Sequence, residues 1–314
     1  MLAHALRSTT RPAPARPGAG ALEAQTAAAL VEGGDARIAL DAAGVNAYGC
    51  PPRPDAGLVA LGSSTASVIS APGWRAANAL NARLLERPER WRNELARLRQ
   101  ELLDLAGAAP GTEAILAASG TDLHLIATQL AAPQAGDALQ AVMAEPDETG
   151  RGTPTALAAR HFGTRTCRGQ PVVAGQPVGS TAQQVPVGIA LRLADGSARD
   201  ADAVDADFAA QVQRVVASGR RCLLVLTDLS KTGLLAPSPG CAAGLRQRFG
   251  ARLEVLVDAC QFRLAPTTLR AYLEQGFIVA ITGSKFVAGP AFCGALLLSP
   301  ETARRARLAP LQAL

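Results

Sequence analysis

Three groups of side chains in this sequence combine residue types that can do chemistry together. Lys285 is the only charged residue in an apolar and small-residue stretch over 277–298. Asp258 lies 27 residues before it, at the end of the apolar run "LEVLVDA", and the turn "SGT" at 119–121 follows the run "EAILAA". A single lysine most often lies in solvent, so a functional role for Lys285 is indicated only if the other two groups lie beside it.

The turn of Ser119, Gly120 and Thr121 lies where an apolar run passes into a helical pattern. Glycine allows close approach of the backbone, threonine offers a hydroxyl, and a helix start offers free N–H groups, which together suit an anion such as phosphate. An ordinary helix N-cap made by threonine or aspartate is the alternative, and both interpretations stay open here. No GxxxxGK[ST] loop occurs, and no GxGxxG follows a strand, which excludes the common nucleotide loops.

The elements that must position these groups form a regular alternation. Helical patterns at 121–131, 203–218 and 240–249 separate short apolar runs, and a longer one extends from Pro72 to Leu105. Continuous apolar runs are typical of strands that are buried on both faces. We predict an α/β fold with a mixed, mostly parallel seven-stranded sheet, helices on both faces, and an antiparallel pairing of the last two strands. The seven predicted strands lie at 113–119, 138–144, 185–191, 222–228, 253–259, 277–282 and 294–299.

Ligands of such sheets bind outside the carboxyl ends of the strands, where Asp258, Lys285 and the 119–121 turn are expected. A carboxylate at the end of a buried strand is costly unless a cation accompanies it. Pyridoxal phosphate requires all three groups: an amine for its Schiff base, a carboxylate against its pyridinium nitrogen and an anion site for its phosphate. A lysine at an apolar strand end is also partly desolvated, which favours the neutral, nucleophilic amine.

Four motifs carry a resemblance to a known superfamily. "VDACQ" at 257–261 resembles the "VDAAQ" segment of fold type I pyridoxal-phosphate enzymes, in particular the class V aminotransferase and cysteine desulfurase group. "TGSKFVAGPAFCGALL" at 282–297 resembles the lysine segment of that superfamily, and "SGTD" at 119–122 resembles its phosphate turn. "SKTG" at 230–233 resembles its Asn-x-Thr-Gly stretch. The resemblance covers about 110–300, and the motifs occur in the family's order.

The resemblance implies a role for each matching residue. Lys285 would form the Schiff base and shuttle the α-proton, Asp258 would pair with the pyridinium, and Gln261 would reach the phenolic oxygen of the ring. The remaining cofactor-binding candidates are Ser119, Gly120 and Thr121 for the phosphate, Thr282 and Ser284 as helpers, and Ser230, which stands where the family often has asparagine.

The sequence departs from the family's pattern at several points. The family usually has histidine before the lysine, where this chain has Ser284. The residue that stacks on the ring is open between Thr149, His124 and His161, although His124 is interpreted first as an ordinary helix residue. Cys293 is interpreted as a core residue. The chain ends at Leu314, so the family's C-terminal small domain, with its substrate-binding arginine, is expected to be missing.

Composition excludes several other classes. The net charge of +5 is spread thinly, with no dense basic stripe, so nucleic-acid binding is not expected. No apolar stretch reaches the roughly 18 residues of a membrane span. The six cysteines include no CxxC pair and the three histidines do not cluster, which predicts no metal site and a reducing, cytoplasmic location.

The organisation along the chain follows from these assignments. We predict a disordered Pro-rich arm at 1–20, an N-terminal segment with a long helix that covers the site at 21–107, a pyridoxal-phosphate-binding large domain at 108–300, and the start of a C-terminal helix at 301–314. The resemblance implies a homodimeric enzyme, a transferase or lyase, that acts on an amino acid or other small amine. An aminotransferase and a β-eliminating lyase both remain open. The alternative is a truncated, catalytically incompetent homologue that acts as an interaction subunit.

Overall fold

The structure is a computed structural model that describes residues 18–32, 34–132, 138–166, 169–179 and 185–308. Most of the predicted disordered arm, and the last six residues of the predicted C-terminal segment, lie outside these ranges. The first helix begins at Ala19, so the last two residues of the predicted arm are helical instead.

All seven predicted strands are present in one sheet, in the order β1-β7-β6-β5-β4-β2-β3. The neighbours among β2 to β6 run parallel, while β7 runs antiparallel to both β6 and β1. The predicted mixed, mostly parallel sheet is therefore confirmed, including its antiparallel β6–β7 pair. The strands are β1 Glu113–Ala117, β2 Leu139–Ala144, β3 Val187–Ile189, β4 Arg221–Thr227, β5 Leu253–Ala259, β6 Ile278–Thr282 and β7 Gly294–Leu298.

Nine α-helices of the described residues surround the sheet or precede it. None of them is both long enough and apolar enough to cross a membrane. The helices are α1 Ala19–Ala29, α2 Ala71–Glu86, α3 Trp91–Leu105, α4 Gly120–Ala131, α5 Thr153–Leu157, α6 Ala201–Ala217, α7 Pro239–Phe249, α8 Pro266–Glu274 and α9 Pro300–Leu308.

Helices cover both faces of the sheet, as predicted. On one face, Leu224 of β4 belongs to a buried cluster that includes Phe208 of α6. On the other face, its neighbour Leu223 belongs to a cluster that includes Leu123 of α4. Because successive strand residues point to opposite faces, a strand that is covered on both sides needs a continuous apolar sequence.

The helix predicted from Pro72 to Leu105 is wrong in one respect, because the chain breaks it into α2 and α3. The break lies at Arg87, whose backbone angles of φ −143° and ψ 75° are not helical. Pro88 follows directly, and proline disfavours the helical conformation in the residue before it. The apolar periodicity continues across the proline, which is why the pattern predicted one helix.

The extended stretch before α2 reaches the loop that carries Lys285. The backbone N–H of Ser67 donates to the carbonyl of Ser284 over 2.9 Å, and the N–H of Ser70 donates to the carbonyl of Ala288 over 2.7 Å. The N-terminal segment therefore contacts the lysine loop through its extended residues.

A buried carboxylate in β5 generates a first prediction. Glu254 is 2% exposed and accepts a hydrogen bond of 2.6 Å from Arg305 of α9, whose side chain is 38% exposed. Removing one partner of a buried pair leaves an uncompensated charge. We expect Arg305→Ala to lower the free energy of unfolding by about 3 kcal/mol, the low end for a broken buried pair, because water reaches the arginine.

Chemical denaturation of matched variants checks this prediction. Arg304→Ala is the control, because the exposed Arg304 makes no ion pair with the described residues. We expect it to change the free energy of unfolding by no more than about 0.5 kcal/mol. Equal effects of the two substitutions would contradict the role of the pair.

Candidate active site

The carboxyl ends of β4, β5 and β6 lie side by side and carry the principal candidate residues. Asp258 is the penultimate residue of β5 and lies opposite Thr227, the last residue of β4. Lys285 follows the last residue of β6, Thr282, by three positions. The structure therefore places the predicted aspartate and lysine at one edge of the sheet.

Asp258 is a carboxylate with two compensating contacts. Its Oδ2 lies 3.2 Å from His124 Nε2, and its Oδ1 accepts the N–H of Cys260 over 3.1 Å. Burial would raise the pKa of this carboxyl, but the charge of His124, the contact with its ring and the charge of Lys285 outweigh burial. The pKa of Asp258 therefore lies well below its usual range, and the group is ionised.

His124 links Asp258 to the start of α4. The ring is only 2% exposed, and its Nδ1 lies 2.7 Å from the carbonyl of Gly120, which can only accept a hydrogen bond. Burial lowers the pKa of His124, but the Asp258 charge and the Gly120 carbonyl raise it more, so that the net pKa is raised. An imidazolium satisfies both contacts, although its Nε2–H is not aligned for a hydrogen bond to the carboxylate.

His124 lies in α4, as its helical pattern predicted, and its ring in addition contacts Asp258, which the sequence analysis did not anticipate. The signal that could have found it is its spacing of four residues from Gly120, which places it one turn above the predicted anion site on the same helix face.

The predicted anion site is the first turn of α4. Ser119 is its N-cap residue, whose Oγ accepts the N–H of Asp122 over 3.3 Å and donates to Asp122 Oδ2 over 2.5 Å. Neither Gly120 nor Thr121 uses its backbone N–H in a hydrogen bond to the described residues. The helix start thus has both an N-cap and two open donors, so the two interpretations of this turn are compatible.

Gly120 is required by a close approach of chain segments. A Cβ at this position would lie 2.9 Å from Cys260 Sγ and 3.4 Å from Thr282 Cγ2. The start of α4 is therefore packed directly against the residues that follow β5 and end β6.

Arg37, in the N-terminal segment, contacts the same helix start and was missed by the sequence analysis. Its Nη2 donates to Ser119 Oγ over 3.1 Å, and its Nη1 donates to Thr121 Oγ1 over 3.3 Å. Ser119 lies 82 residues further along the chain, and no local motif marks the arginine.

Three other predicted residues surround the lysine loop. The Nε2 of Gln261 donates to the carbonyl of Ser64 over 3.1 Å, while its buried Oε1 has no partner among the described residues. Thr282 Oγ1 donates to the carbonyl of Cys260 over 2.7 Å. Ser284 is bound through its carbonyl to the N-terminal segment.

The predicted cofactor-binding residue Ser230 binds other groups of the protein. Its hydroxyl donates to Glu148 Oε2 over 2.5 Å and accepts the N–H of Leu234 over 3.1 Å. Glu148 also accepts a hydrogen bond of 2.7 Å from Arg192 Nε. The single proton of Ser230 is thus committed to a buried carboxylate, which ties the loop after β4 to the end of β2.

A second lysine lies near this edge. Only two of the 31 basic residues of the chain are lysines, Lys231 and Lys285. Burial, followed by the nearby charges of Lys285 and Arg151, lowers the pKa of Lys231. The two lysine side chains therefore lie close enough for the charge of Lys285 to affect the pKa of Lys231.

Two further groups define the chemistry at the edge. Burial raises the pKa of the Cys293 thiol to about 11, so this cysteine stays a protonated, unreactive thiol at neutral pH. Burial also raises the pKa of Asp228, whose Oδ2 accepts a hydrogen bond of 2.9 Å from the hydroxyl of Tyr272.

The ring-stacking candidates Thr149 and His161 have no ring contact that would select one of them. Thr149 is buried with its hydroxyl 3.5 Å from the carbonyl of Pro146, and His161 is held through its backbone by Gln176. The identity of the stacking residue stays a prediction.

Comparison with known proteins places the fold. No protein-family model and no curated protein matches the chain. Solved structures similar to it include the glutamate decarboxylase domain of a diaminobutyrate-pyruvate transaminase and L-2,4-diaminobutyrate decarboxylase from Vibrio parahaemolyticus, with 13% identity and a TM-score of 0.53. The match covers 79% of this chain and 54% of that chain.

Two further matches have the same character. A putative histidinol-phosphate aminotransferase from Erwinia carotovora atroseptica is 14% identical, with a TM-score of 0.50 over 80% of this chain and 63% of that chain. Tryptophan decarboxylase from Catharanthus roseus, in complex with L-tryptophan, is 14% identical, with a TM-score of 0.51 over 76% and 51%. The chain thus spans about half to two thirds of their length. It has the fold of the pyridoxal-phosphate-dependent transferases, as predicted, while the class V subfamily stays a prediction.

The packing around Gly120 generates a second prediction. We expect Gly120→Ala to lower the free energy of unfolding by about 1–3 kcal/mol, because the added methyl group meets the Cys260 sulfur in a closed site. Gly244→Ala in α7 is the control, because a Cβ there meets nothing within 4 Å. We expect the control to raise the free energy of unfolding by about 0.5–1 kcal/mol. Equal stability of the two variants in urea would contradict the close approach.

The His124–Asp258 pair generates a third prediction. Because the pKa of His124 is raised above the unfolded value of 6.5, its stabilisation is complete below that value and is lost as pH rises through the folded pKa. We expect the advantage of the wild type over His124→Gln in free energy of unfolding to shrink as the pH rises above 6.5. An advantage that grows with pH would show that the ring is neutral.

Proposed function

We propose that the protein is a pyridoxal-phosphate-dependent enzyme that acts on an amino acid or another small amine through Lys285. The observation that carries this proposal is the convergence at one sheet edge of a lysine, the ionised carboxylate of Asp258, and a helix start with open N–H donors at Gly120 and Thr121. The fold supports the proposal, because similar solved structures include Oryza sativa TDC with pyridoxal phosphate and tryptamine.

The residues present fit this cofactor. One buried polar atom at the edge, Gln261 Oε1, has no hydrogen-bond partner among the described residues, which is unusual in a site without a ligand. Asp258 would hold the ring nitrogen, Gln261 would bind the phenolic oxygen, and Lys285 would bind the aldehyde carbon. When bound, pyridoxal phosphate supplies an electron sink for negative charge at the Cα of an amine. The phosphate would be held by Ser119, Gly120 and Thr121, with Thr282 and Ser284 nearby.

The protein's own groups divide the proton chemistry between them. Ionised Asp258 would keep a proton on the ring nitrogen of the cofactor. The positive charge of His124 keeps the Asp258 carboxylate ionised. Lys285 Nζ, when neutral, is the base that removes a proton from the Cα of the substrate and returns it. Ser230, bound to Glu148, acts in this account as an anchor of the loop rather than as a cofactor ligand.

The type of reaction follows from what leaves Cα. Transamination and β-elimination both begin with removal of the Cα proton, for which Lys285 is the available base. Decarboxylation, the activity named for two of the similar structures, breaks the bond to the carboxylate instead. We propose an aminotransferase or a β-eliminating lyase, and detection of carbon dioxide among the products would contradict that choice.

We further propose that the protein works as a homodimer in a reducing, cytoplasmic compartment. Val59 and Leu61, at 82% and 93% exposed, precede Ser64, whose carbonyl binds Gln261, by five and three residues. Phe286 and Val287, which follow Lys285, are also exposed. Apolar residues at the rim of a site support an interface with a second copy. The free cysteines of the described residues support the reducing compartment. The class V subfamily is supported by the "VDACQ" and "TGSK" motifs.

The two lysines make a sharp fourth prediction. Titration of the wild type with pyridoxal phosphate is expected to produce the visible absorption band of the protein-bound cofactor, and Lys285→Ala is expected to abolish it. Lys231→Arg is the matched control, because it keeps the charge but removes the only other lysine amine, and we expect it to retain the band. A band that survives in Lys285→Ala would contradict the proposal. Absence of a band in every variant would favour the alternative of an incompetent interaction subunit.

A further inference from the structure

We propose that Arg37 is the cationic residue of the anion site. A phosphate ester bound at the start of α4 would then also stabilise the N-terminal segment in its position over the active site. This inference rests on the proposed function and deepens it, because it assigns a phosphate ligand outside the large domain. Four steps carry it, each from the contacts of Arg37 or of the segment to which it belongs.

The first step is the direction of the guanidinium. Nη1 and Nη2 form its outer edge, and they donate to the hydroxyls of Thr121 and Ser119 respectively. Both hydroxyls belong to buried residues of the first turn of α4. The charged edge of Arg37 is therefore directed at the helix end that attracts anions.

The second step is the number of donors that remain. Asp35 accepts a hydrogen bond from Nε of Arg37 and lies 2.7 Å from its Nη2, while the hydroxyls of Thr121 and Ser119 accept one hydrogen each from Nη1 and Nη2. A guanidinium has five N–H donors, so one on Nη1 has no partner among the described residues. Together with the open backbone N–H groups of Gly120 and Thr121, three free donors belong to Arg37 and to the helix start that it contacts. Phosphate, with several strong acceptor oxygens, is the ligand that can use all of them.

The third step is the rigidity of the arginine. The Arg37 backbone N–H also donates to Asp35 Oδ1 over 2.9 Å, which holds in place the carboxylate that binds the guanidinium. The rings of Phe162 and Phe292 lie 5.4 Å and 4.8 Å from the guanidinium carbon. A guanidinium that is held by a carboxylate and two rings loses little freedom on binding an anion.

The fourth step is the coupling to the N-terminal segment. The same segment is bound to the site by the Ser64–Gln261 and Ser67–Ser284 contacts. A ligand that binds Arg37 and α4 at once adds a further contact between the two, and linkage requires that it stabilise the docked segment. Phosphate binding is therefore expected to stabilise the docked position of the segment.

The test compares pyridoxal phosphate with pyridoxal, which lacks the phosphate. We expect Arg37→Gln to weaken the binding of pyridoxal phosphate by about 10- to 100-fold, the effect of losing a charge-assisted contact, and to leave the binding of pyridoxal unchanged. Arg37→Lys keeps a charge that can pair with Asp35 but lacks the fork, and we expect an intermediate loss. Affinities are measured by the change in absorbance on titration.

Arg53→Gln is the matched control. Arg53 belongs to the same segment and lies over a ring, that of Trp74 at 5.9 Å, and it has no hydrogen bond or ion pair with α4 among the described residues. We expect this variant to bind both ligands as the wild type does. If Arg37→Gln weakens both ligands equally, or neither, Arg37 is not a phosphate ligand and the inference is overturned.

Inorganic phosphate provides a readout that requires no cofactor. Hydrogen exchange of the amides over 34–70 is expected to slow when phosphate is added to the wild type or to Arg53→Gln, and to be unaffected by phosphate in Arg37→Gln. Equal protection in Arg37→Gln would overturn the coupling. If the wild type binds pyridoxal phosphate while Arg37→Gln behaves like it, only the inference fails. If the wild type does not bind pyridoxal phosphate at all, the proposed function fails as well.

Discussion

The structure depends on one constraint, which is that the carboxylate of Asp258, only 12% exposed at the end of an interior strand, must be accompanied by cations. A carboxylate at the end of an interior strand is tolerated only where partners compensate the loss of water. His124 reaches it from α4 at 3.2 Å, and the charge of Lys285 reaches it from the loop after β6. Asp258 and its two cationic partners come from three separate parts of the chain, so α4, β5 and the loop after β6 must converge for the charge to be stable. The requirement that stabilises the aspartate thus also assembles the site.

His124 extends this constraint to the anion site. Its Nδ1 contacts the carbonyl of Gly120, so a single buried ring connects the helix start to the carboxylate. Gly120 is in turn packed against Cys260, two residues after Asp258. Displacement of Asp258, His124 or Gly120 would displace the other two, because the three residues are connected by direct contacts in a closely packed region. The ring-binding and phosphate-binding ends of the proposed cofactor site are therefore fixed relative to each other by the fold.

Sequence patterns predicted the parts of the fold and of the site that depend on neighbouring residues in the chain. The apolar runs marked all seven strands, and strand ends marked Asp258, Lys285 and the Ser119–Thr121 turn, because strand direction decides where such residues meet. Contacts between distant segments left no such pattern. Arg37 lies 82 residues from Ser119, and Ser230 lies 82 residues from Glu148, so neither partner could be found from spacing. His124 looked like a helix residue because its role depends on a strand that follows more than a hundred residues later.

The scarcity of lysine permits a direct test of the central claim that Lys285 is the covalent ligand. In a chain that uses arginine for nearly every other cation, the two lysines are the only side chains that offer a primary amine, and the lowered pKa of Lys231 makes it a genuine competitor. The measurement is borohydride reduction in the presence of pyridoxal phosphate, followed by mass-spectrometric mapping of the labelled peptide. The account predicts a label on Lys285 and none on Lys231. A label on Lys231, an equal division between the two, or no label at all would contradict it.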